Sequence, residues 1–562
     1  MNRNHFDFQA EELTFTYPGQ SAPALESVSF GVQPGEFVLV TGRSGSGKTT
    51  LLRSLKPSLF PEGGYSGTLR LFGKKAEEFS RREDAESIGF VLQNPDFQAV
   101  THTVRSELAF GLESLGYDSS TIRMRMAEAA SYFGLDSIFD CRLSELSGGK
   151  LQLVCLASVL AMHPKAVLLD EPISQLDPMT CDSFVNTLKR LSVENGITVI
   201  LSEHRLEKVL PVADRLMVMD SGRLTFDGAP EDMTAGVLTQ NDFLHAAVPS
   251  SARIIASLGF PPGKALTVRD AKRQLDAAVG ENVSFKCVER TQRDHTQQET
   301  AVEMKNVCFS YDSTKRVLNG LNLKIQKNCF FALMGANAAG KTTALMLMGG
   351  LLQAGAGKIR LFGKNIKKYG QSELYRGLVA VLPQRVHTLF AGNTVEEDLR
   401  RVLDDEKMTE EEKRRLFDES VDFFSLRPLL SRHPYDISQG EMQKAAFCMA
   451  LLRRPKLLLL DEPTKGMDAL FKKELGEKIR LLVKGGMTVV AVSHDSEFCA
   501  EYCDACAFLC DGVCNESKPK GEFFSGNFFF TTEANKISRH VFENAVTESE
   551  VLMLCRKNQE NR

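Results

Sequence analysis

Two glycine-rich stretches of the chain carry the residue types that hold phosphate groups. Residues 42–50 read GRSGSGKTT and residues 335–343 read GANAAGKTT, and both fit the spacing G-x-x-x-x-G-K-[ST]. In this motif backbone N–H groups cradle phosphate oxygens, the lysine reaches the outer phosphates, and the first threonine ligates Mg²⁺. The predicted phosphate-binding residues are Gly42, Arg43, Ser44, Gly45, Ser46, Gly47, Lys48, Thr49 and Thr50, then Gly335, Ala336, Asn337, Ala338, Ala339, Gly340, Lys341, Thr342 and Thr343.

The second loop has an alanine, Ala338, where the first loop has Gly45. If this turn needs a left-handed backbone, the β-carbon of alanine costs on the order of 1 kcal/mol. The effect of the substitution therefore depends on the conformation of the turn.

Acidic pairs follow two apolar runs, one in each half of the chain. VLLD ends at Asp170 and LLLLD ends at Asp461, and Glu171 and Glu462 come next. A carboxylate at a strand end can hold the Mg²⁺ shell, and the following glutamate can orient or deprotonate an attacking water. With a phosphate loop upstream, this chemistry is favoured over the solvated charges of an ordinary strand end.

Three further residue types recur in step with the loops. Each histidine follows a β-type run and a serine, which favours contact with a terminal phosphate. Each glutamine, 45 or 43 residues past its lysine, can sense Mg²⁺ and the attacking water, and each tyrosine can stack on a base. An ordinary strand aromatic is the competing interpretation of each tyrosine. The candidates are His204 and His494, Gln93 and Gln384, and Tyr17 and Tyr311.

These landmarks keep one register, which shows that the chain contains a repeat. Lys48 and Lys341 are 293 residues apart, and His204 and His494 are 290 apart. One module of roughly 240 residues is therefore present twice. We place the first module at residues 6–245, a helical and polar linker at 246–300, the second module at 301–530 and a helical tail at 531–562.

Each module also contains a second anion-binding motif. Residues 146–150 read LSGGK and residues 437–441 read ISQGE, and each opens a run of helical type. A helix N-terminus of small residues with a free hydroxyl binds anions, and one module has no obvious need of two such sites. Two modules that face each other would need both. The motif residues are Ser147, Gly148 and Gly149, and then Ser438, Gln439 and Gly440.

The elements that must position these residues also repeat. FVLV and FFALM precede the two glycine loops as β-type runs, and TTLLRSL and TTALMLM follow them as helical runs. The apolar runs before the acidic pairs, with TVIL (198–201) and TVVAV (488–492), are typical of buried parallel strands. Strands that alternate with helices indicate α/β modules with a mostly parallel sheet.

Composition limits the classes of function. Apolar residues make up 43% of the chain and charged residues 25%, as in soluble globular proteins. The net charge of −4 gives no reason to expect nucleic-acid binding. No apolar run reaches 18 residues and the N-terminus has no signal-peptide core, so a role at a membrane would need a separate partner chain.

Five cysteines crowd into residues 499–514. Their spacings of 4, 3, 4 and 4 do not match two paired CxxC hooks of a metal site. We therefore expect them to pack as small hydrophobic residues, Cys506 and Cys510 in an apolar strand and Cys499, Cys503 and Cys514 in a helix and its turn.

Together the motifs resemble the nucleotide-binding domains of ABC ATPases. The glycine loops match Walker A, the acidic pairs Walker B, LSGGK and ISQGE the signature, and SQLD (174–177) and KGMD (465–468) the D-loop. The resemblance implies an α/β fold with two tandem P-loop NTPase domains. Each would be a RecA-like, mostly parallel sheet with an antiparallel β subdomain and a helical subdomain.

The resemblance also implies ligands and roles. ATP and Mg²⁺ are the expected ligands, and ATP bound to the Walker A loop of one module is expected to be capped by the signature of the other. Each composite site would then contain one departure, Gln439 or Ala338. The resemblance assigns catalysis to Glu171, Glu462, His204, His494, Gln93 and Gln384. It assigns Mg²⁺ binding to Thr49, Gln93, Asp170, Thr342, Gln384 and Asp461.

Three longer stretches resemble one particular group of ABC ATPases. QNPDFQAVTHTVRSELAFG (93–111), SEHRLEKVL (202–210) and GNFFFTTEANKISR (526–539) are similar to the fused ATPases of energy-coupling factor (ECF) transporters. Those ATPases power uptake of vitamins, thiamine precursors, cobalt or nickel. The family pattern implies a membrane-embedded coupling (T) subunit docking near the glutamine loops, a substrate-binding (S) subunit, and a peripheral place on the cytoplasmic face of the cell membrane.

Two other classes share the tandem architecture. ATPases of sugar importers are one, although their first-module signature has no close match here. Soluble translation factors of ABC type are the other, and they carry a long, charged helical linker that touches ribosomal RNA. Here Pro261, Pro262 and Gly263 break the linker, which is not strongly basic. The sequence leaves the transported molecule and the direction of transport open.

Overall fold

The chain forms two compact units in a computed structural model. The division falls between Ala271 and Lys272. Within the described part of the chain, every helix is too short or too polar to cross a membrane. The described residues are 6–173, 176, 178–280, 283–288, 299–311, 316–336, 338–404, 406 and 408–561.

A mostly parallel sheet forms the centre of the first unit. Its order is β10-β9-β3-β8-β7-β6, in which only β10 runs antiparallel. Every residue of β3, β7 and β8 is buried, as expected for a sheet covered on both faces. The strands are β1 (Phe8–Thr16), β2 (Leu25–Val32), β3 (Phe37–Gly42), β4 (Gly64–Leu71), β5 (Lys74–Lys75), β6 (Ile88–Val91), β7 (Ala166–Asp170), β8 (Thr198–Ser202), β9 (Arg215–Asp220) and β10 (Arg223–Gly228).

The remaining strands and the helices build two further layers. Strands β2-β1-β4-β5 form an antiparallel sheet, and α4, α5 and α6 enclose a separate apolar core around Leu108, Met126 and Val154. The helices are α1 (Lys48–Ser54), α2 (Arg81–Ser87), α3 (Pro95–Gln98), α4 (Val104–Ser114), α5 (Ser119–Tyr132), α6 (Gly148–Leu160), α7 (Pro178–Asn195), α8 (Leu206–Val209), α9 (Ala235–Gln240), α10 (Asp242–Ala247), α11 (Ser250–Ser257) and α12 (Val268–Val279), which crosses the division.

The second unit repeats this plan. Its central sheet runs β16-β17-β18-β13-β19-β20, with β21 also paired to β19, and β16 to β19 with β13 are parallel. Strands β12-β11-β14-β15 form its antiparallel sheet. The strands are β11 (Thr300–Ser310), β12 (Arg316–Gln326), β13 (Phe330–Gly335), β14 (Ala356–Leu361), β15 (Lys364–Asn365), β16 (Val379–Leu382), β17 (Leu457–Asp461), β18 (Thr488–Val492), β19 (Ala505–Cys510), β20 (Val513–Cys514) and β21 (Lys518–Pro519).

Helices complete the second unit and form its tail. Buried residues of α15, α16 and α17, among them Leu399, Phe417 and Phe447, join the main apolar core. The helices are α13 (Lys341–Met348), α14 (Gln371–Tyr375), α15 (Val395–Asp404), α16 (Glu410–Phe423), α17 (Gln439–Leu452), α18 (Ala469–Lys484), α19 (Ser496–Tyr502), α20 (Lys520–Gly526), α21 (Glu533–Ser538) and α22 (Glu548–Glu560). The predicted α/β fold, with parallel, antiparallel and helical layers in each module, is confirmed.

One part of the linker, residues 283–288, is fixed to the C-terminal tail by asparagine amides. Asn558 accepts from the N–H groups of Ser284 and Phe285 at 2.8 and 2.9 Å and donates to the Phe285 carbonyl at 2.9 Å. Asn544 exchanges two similar bonds with the backbone of Val288, at 2.6 and 3.0 Å. Residues 283–288 are therefore part of the packed second unit, and most of the polar stretch after them lies outside the described residues.

The crowded cysteines are mostly packing residues. Cys499 lies in α19, Cys503 ends that helix and Cys506 lies in β19, and all three are fully buried. Burial raises the pKa of the Cys503 thiol well above its ordinary value, which favours the uncharged form. Cys514 lies in β20, so the expectation that it fills a helix turn was wrong.

Candidate nucleotide site

The first glycine loop connects β3 to α1 and holds its lysine against the loop itself. The Lys48 ammonium is buried and donates to the carbonyls of Gly42 and Arg43 at 2.9 and 3.0 Å. The buried Ser46 hydroxyl has no hydrogen-bond partner among the described residues. A buried hydroxyl without a partner is costly, so this atom fits a loop that surrounds a phosphate.

The second loop has the same geometry with one strained residue. The Lys341 ammonium donates to the carbonyls of Gly335 and Ala336, each at 2.9 Å. The φ angle is +80° at Gly45 and +60° at Ala338, so the turn does need a left-handed backbone. Alanine therefore carries the expected strain of about 1 kcal/mol. Asn337 lies outside the described residues.

A threonine and an aspartate meet beside each loop. Thr49 donates to Asp170 at 3.2 Å, and Thr342 contacts both oxygens of Asp461 at 2.9 and 3.1 Å. Burial raises the pKa of both carboxyls, that of Asp461 to about 6. A hydroxyl and a buried carboxylate side by side are oxygen donors that suit Mg²⁺, whose charge would offset this desolvation.

Each catalytic candidate glutamate contacts its histidine. Glu171 lies 2.7 Å from His204 Nε2, and Glu462 lies 2.8 Å from His494 Nδ1. Both glutamates have left-handed backbones, with φ of +46° and +49°. Such strain in a residue other than glycine is typical of functional sites.

The two predicted glutamines differ in their surroundings. Gln93 donates its amide to Glu171 at 2.8 Å, and His204 contacts the same carboxylate, so three candidates lie in one group of contacting side chains. Gln384 is exposed just past β16. The first module thus assembles its candidates more completely than the second.

The tyrosines are fixed to the helices that follow the glycine loops. The hydroxyl of Tyr17 lies 3.1 Å from Thr50, and that of Tyr311 lies 3.1 Å from Thr343. Each ring also meets a phenylalanine edge-on with ring centres 4.9 Å apart, Phe15 or Phe309. These contacts place each ring beside the helix that follows its phosphate loop, and base stacking stays a prediction.

The signature motifs open α6 and α17, but their serines differ. The Ser438 hydroxyl accepts from the Glu441 N–H at 3.3 Å, and the Ser438 N–H donates to the Glu441 carboxylate at 2.8 Å, which closes a capping box. Ser147 makes no side-chain cap, and the corresponding place after it is Lys150. The two motifs therefore present different local charge.

The extra side chain of the second signature fills space beside the D-loop of its own unit. A β-carbon on Gly466 would lie 3.1 Å from the Gln439 amide nitrogen, and Gly466 has a φ of +69°. The glutamine thus packs against a glycine whose backbone disfavours any side chain. In the first unit, Ser174, Gln175 and Asp177 of the corresponding loop lie outside the described residues.

Sequence reasoning missed the role of the residues around His204. Ser202 donates to Asp170 at 2.7 Å, and the Glu171 N–H bonds both the carbonyl and hydroxyl of Ser202, at 3.0 and 3.1 Å. Glu203 is also buried, and burial raises its pKa to about 8. The only sequence signal was a glutamate placed directly after the β-type run TVILS.

Comparison with known proteins identifies both halves of the chain. The family model described as ABC transporter matches residues 25–174 and 318–465. The chain belongs to the ABC transporter family. A relative from Bacillus cereus, named as an ABC transporter ATP-binding protein, is 38% identical over 97% of this chain and 98% of its own. A relative of the same description from Methanosarcina acetivorans is 33% identical over 92% of this chain and 86% of its own.

A solved structure resembles part of this ABC protein. It is cbiO1 from Clostridium perfringens, described as part of the ABC transporter complex cbiONQ. It is 31% identical and covers 41% of this chain and 90% of its own, at a TM-score of 0.38. Family membership implies ATP binding with Mg²⁺ and ATP hydrolysis, and the loops, acids and histidines above fit these ligands.

Proposed function

We propose that this ABC protein is the ATP-hydrolysing subunit of an ECF-type uptake transporter on the cytoplasmic face of the cell membrane. The single observation that carries the hydrolytic part is the glutamate–histidine pair beside each phosphate loop, at 2.7 and 2.8 Å. A glutamate held this way can accept a proton from water while the histidine reaches the terminal phosphate. The transported molecule would be a vitamin, a thiamine precursor, cobalt or nickel.

Each side chain has a role in such a site. The tyrosine stacks on the base, the loop N–H groups and the lysine hold the phosphates, and the threonine, aspartate and glutamine hold Mg²⁺. The metal supplies charge neutralisation at the phosphates. The glutamate orients the attacking water, and the histidine, which contacts the glutamate, reaches the terminal phosphate.

We further propose that the two modules pair within the chain. Ser438, Gln439 and Gly440 would cap ATP on the loop of Lys48, and Ser147, Gly148 and Gly149 would cap ATP on the loop of Lys341. Binding of ATP would close the modules, and hydrolysis with product release would reopen them. The presence of a signature in both modules supports two sites of this kind.

An exposed apolar surface beside Gln93 supports a membrane-embedded partner. Phe97, Val100 and Phe110 are 82%, 64% and 44% exposed, and Phe97 lies in α3, directly after the glutamine loop. Three large hydrophobic side chains exposed within residues 97–110 fit an interaction site. An apolar helix of a T subunit fits this surface, and motion there would reach Glu171 through Gln93.

The test is to purify the chain from detergent-solubilised membranes of cells that contain its native partners. We expect two membrane proteins and a bound small molecule to co-purify, with ATPase activity in the complex. Phe97→Ser should reduce recovery of the membrane partners, while Phe529→Ser, at another strongly exposed phenylalanine, should not. Co-sedimentation with ribosomes and no membrane partner would instead support a translation factor.

A further inference from the structure

Glu203 joins two loops of the first ATP site. It follows β8 directly, precedes His204 and is 1% exposed. One carboxylate oxygen accepts from the Ile173 N–H at 2.8 Å, and the other accepts from the His204 N–H at 3.2 Å. Its carbonyl accepts from the hydroxyl of Thr41, at the end of β3, at 2.7 Å.

Arg205 contacts the same segment from the other side of His204. Its guanidinium donates to the Leu176 carbonyl at 3.3 Å and meets Glu207 at 3.3 Å. Ile173 and Leu176 both belong to the segment that follows Glu171. The two residues that flank the histidine therefore hold that segment at two points, one N–H group and one carbonyl.

In the second module, the residues on either side of the histidine differ in type and in their hydrogen bonds. Ser493 and Asp495 stand where the first module has Glu203 and Arg205. Ser493 accepts from the Asp495 N–H at 3.0 Å, and Asp495 pairs with Lys472 at 2.7 Å and caps α19. These bonds run within the histidine loop and to α18.

Burying a carboxyl costs free energy unless its oxygens are bonded. Serine in the second module shows that the fold does not need an acid at this place. The two bonds of Glu203 instead connect the loop of His204 to the loop of Glu171, and these two side chains contact each other.

We propose that Glu203, assisted by Arg205, is a positioning residue of the first ATP site, which makes Glu171, Ile173, Leu176 and His204 move as one body. The proposal rests on the hydrolytic function proposed above. Because Glu203 acts through Glu171 and does not touch the phosphate loop, its loss should lower kcat and leave KM for ATP unchanged.

The test uses the intact chain with Glu462→Gln, so that turnover reports the first site. We expect Glu203→Ser, which installs the residue of the second module, to lower kcat by about tenfold at unchanged KM. Glu203→Gln keeps an acceptor and should recover most of the activity. Arg205→Ala, at a more exposed residue, should produce a smaller loss in the same direction and covers the case in which Glu203→Ser fails to fold.

A second readout does not depend on activity. Hydrogen exchange of the peptide covering residues 171–176, without nucleotide, should become faster in Glu203→Ser and remain slow in Glu203→Gln. Unchanged exchange, or faster exchange with unchanged kcat, would overturn the proposal. Absence of ATPase activity in the unmodified chain would overturn the proposed function, while the exchange experiment would still report on the connection.

Discussion

Glu171 and Glu462 are held in a backbone conformation that costs on the order of 1–3 kcal/mol for a residue with a β-carbon. Each N–H group bonds the end of the neighbouring parallel strand, at Ser202 or Val492. This bond keeps the chain in a sharp turn directly after the aspartate. The turn directs the glutamate towards its histidine, so strain at one residue provides the contact on which the proposed hydrolysis depends.

Glu171→Gln and Glu462→Gln should each sharply lower ATP turnover in the assembled complex. A glutamine cannot accept the proton, and loss of a general base costs about 10²- to 10⁴-fold at its own site. Steady-state phosphate release measures the effect, with the exposed Glu522→Gln as the control. Full activity in one mutant would mark that site as non-hydrolytic, and full activity in both would contradict the mechanism.

The buried Glu203 should make stability depend on pH. Burial raises its pKa from 4.5 to about 8, with Glu171 acting in the same direction and Arg205 against it. The folded state thus binds a proton more tightly than the unfolded state. The resulting stability is fully present below pH 4.5 and is lost as the pH rises through 8.

Thermal unfolding of the chain and of Glu203→Gln between pH 5 and pH 8 checks this dependence. The variant has no titrating group there, so its Tm should rise relative to that of the unmodified chain as the pH increases. A Tm difference that stays constant, or changes with the opposite sign, would show that Glu203 is ionised throughout this range.

At the scale of elements, short sequence patterns predicted the strands and helices that depend mainly on neighbouring residues. The apolar runs before the glycine loops form β3 and β13, those before the acidic pairs form β7 and β17, and the run TTLLRSL forms most of α1. Buried parallel strands are continuous apolar segments, so their sequences identify them. The bonds of Glu203, Asn558 and Asn544 join residues far apart in the chain, and no spacing rule reveals such partners. The site roles and domain bounds remain predictions.

The two signature helices should respond differently to loss of their serines. Ser438→Ala removes a capping box and should destabilise the second unit by about 1 kcal/mol. Ser147→Ala removes no side-chain cap and serves as the matched control. Urea unfolding followed with a probe in each unit measures the difference. Equal destabilisation by both variants would contradict the capping geometry.

The phosphate loops offer a reciprocal pair of substitutions. Ala338→Gly should stabilise the second unit by up to about 1 kcal/mol, because glycine adopts the left-handed turn without a steric penalty. Gly45→Ala should destabilise the first unit by a similar amount, in open space that adds no clash. Calorimetry of both variants tests the signs, and a loss of stability in Ala338→Gly would refute the account of strain.

At the scale of the whole molecule, the attachment of linker residues 283–288 to the C-terminal tail should slow hydrogen exchange in that part of the linker. Asn558 is 3% exposed and holds residues 284 and 285 at three points. Asn558→Ala should therefore speed hydrogen exchange across residues 283–288 while the core of the second unit stays protected. Asn527→Ala, whose amide bonds only the nearby Phe523 carbonyl, is the control. Unchanged exchange in Asn558→Ala would show that the linker is held by other contacts.

The duplicated site has a genetic consequence. In an assembly of two identical chains, every mutation changes both ATP sites at once. Here separate codons encode the corresponding residues of the two modules, so selection can change one site and leave the other unchanged. Examples are Gly148 and Gln439, Gly45 and Ala338, and Glu203 and Ser493. The same separation lets an experimenter inactivate one site with a single plasmid and no mixture of subunits.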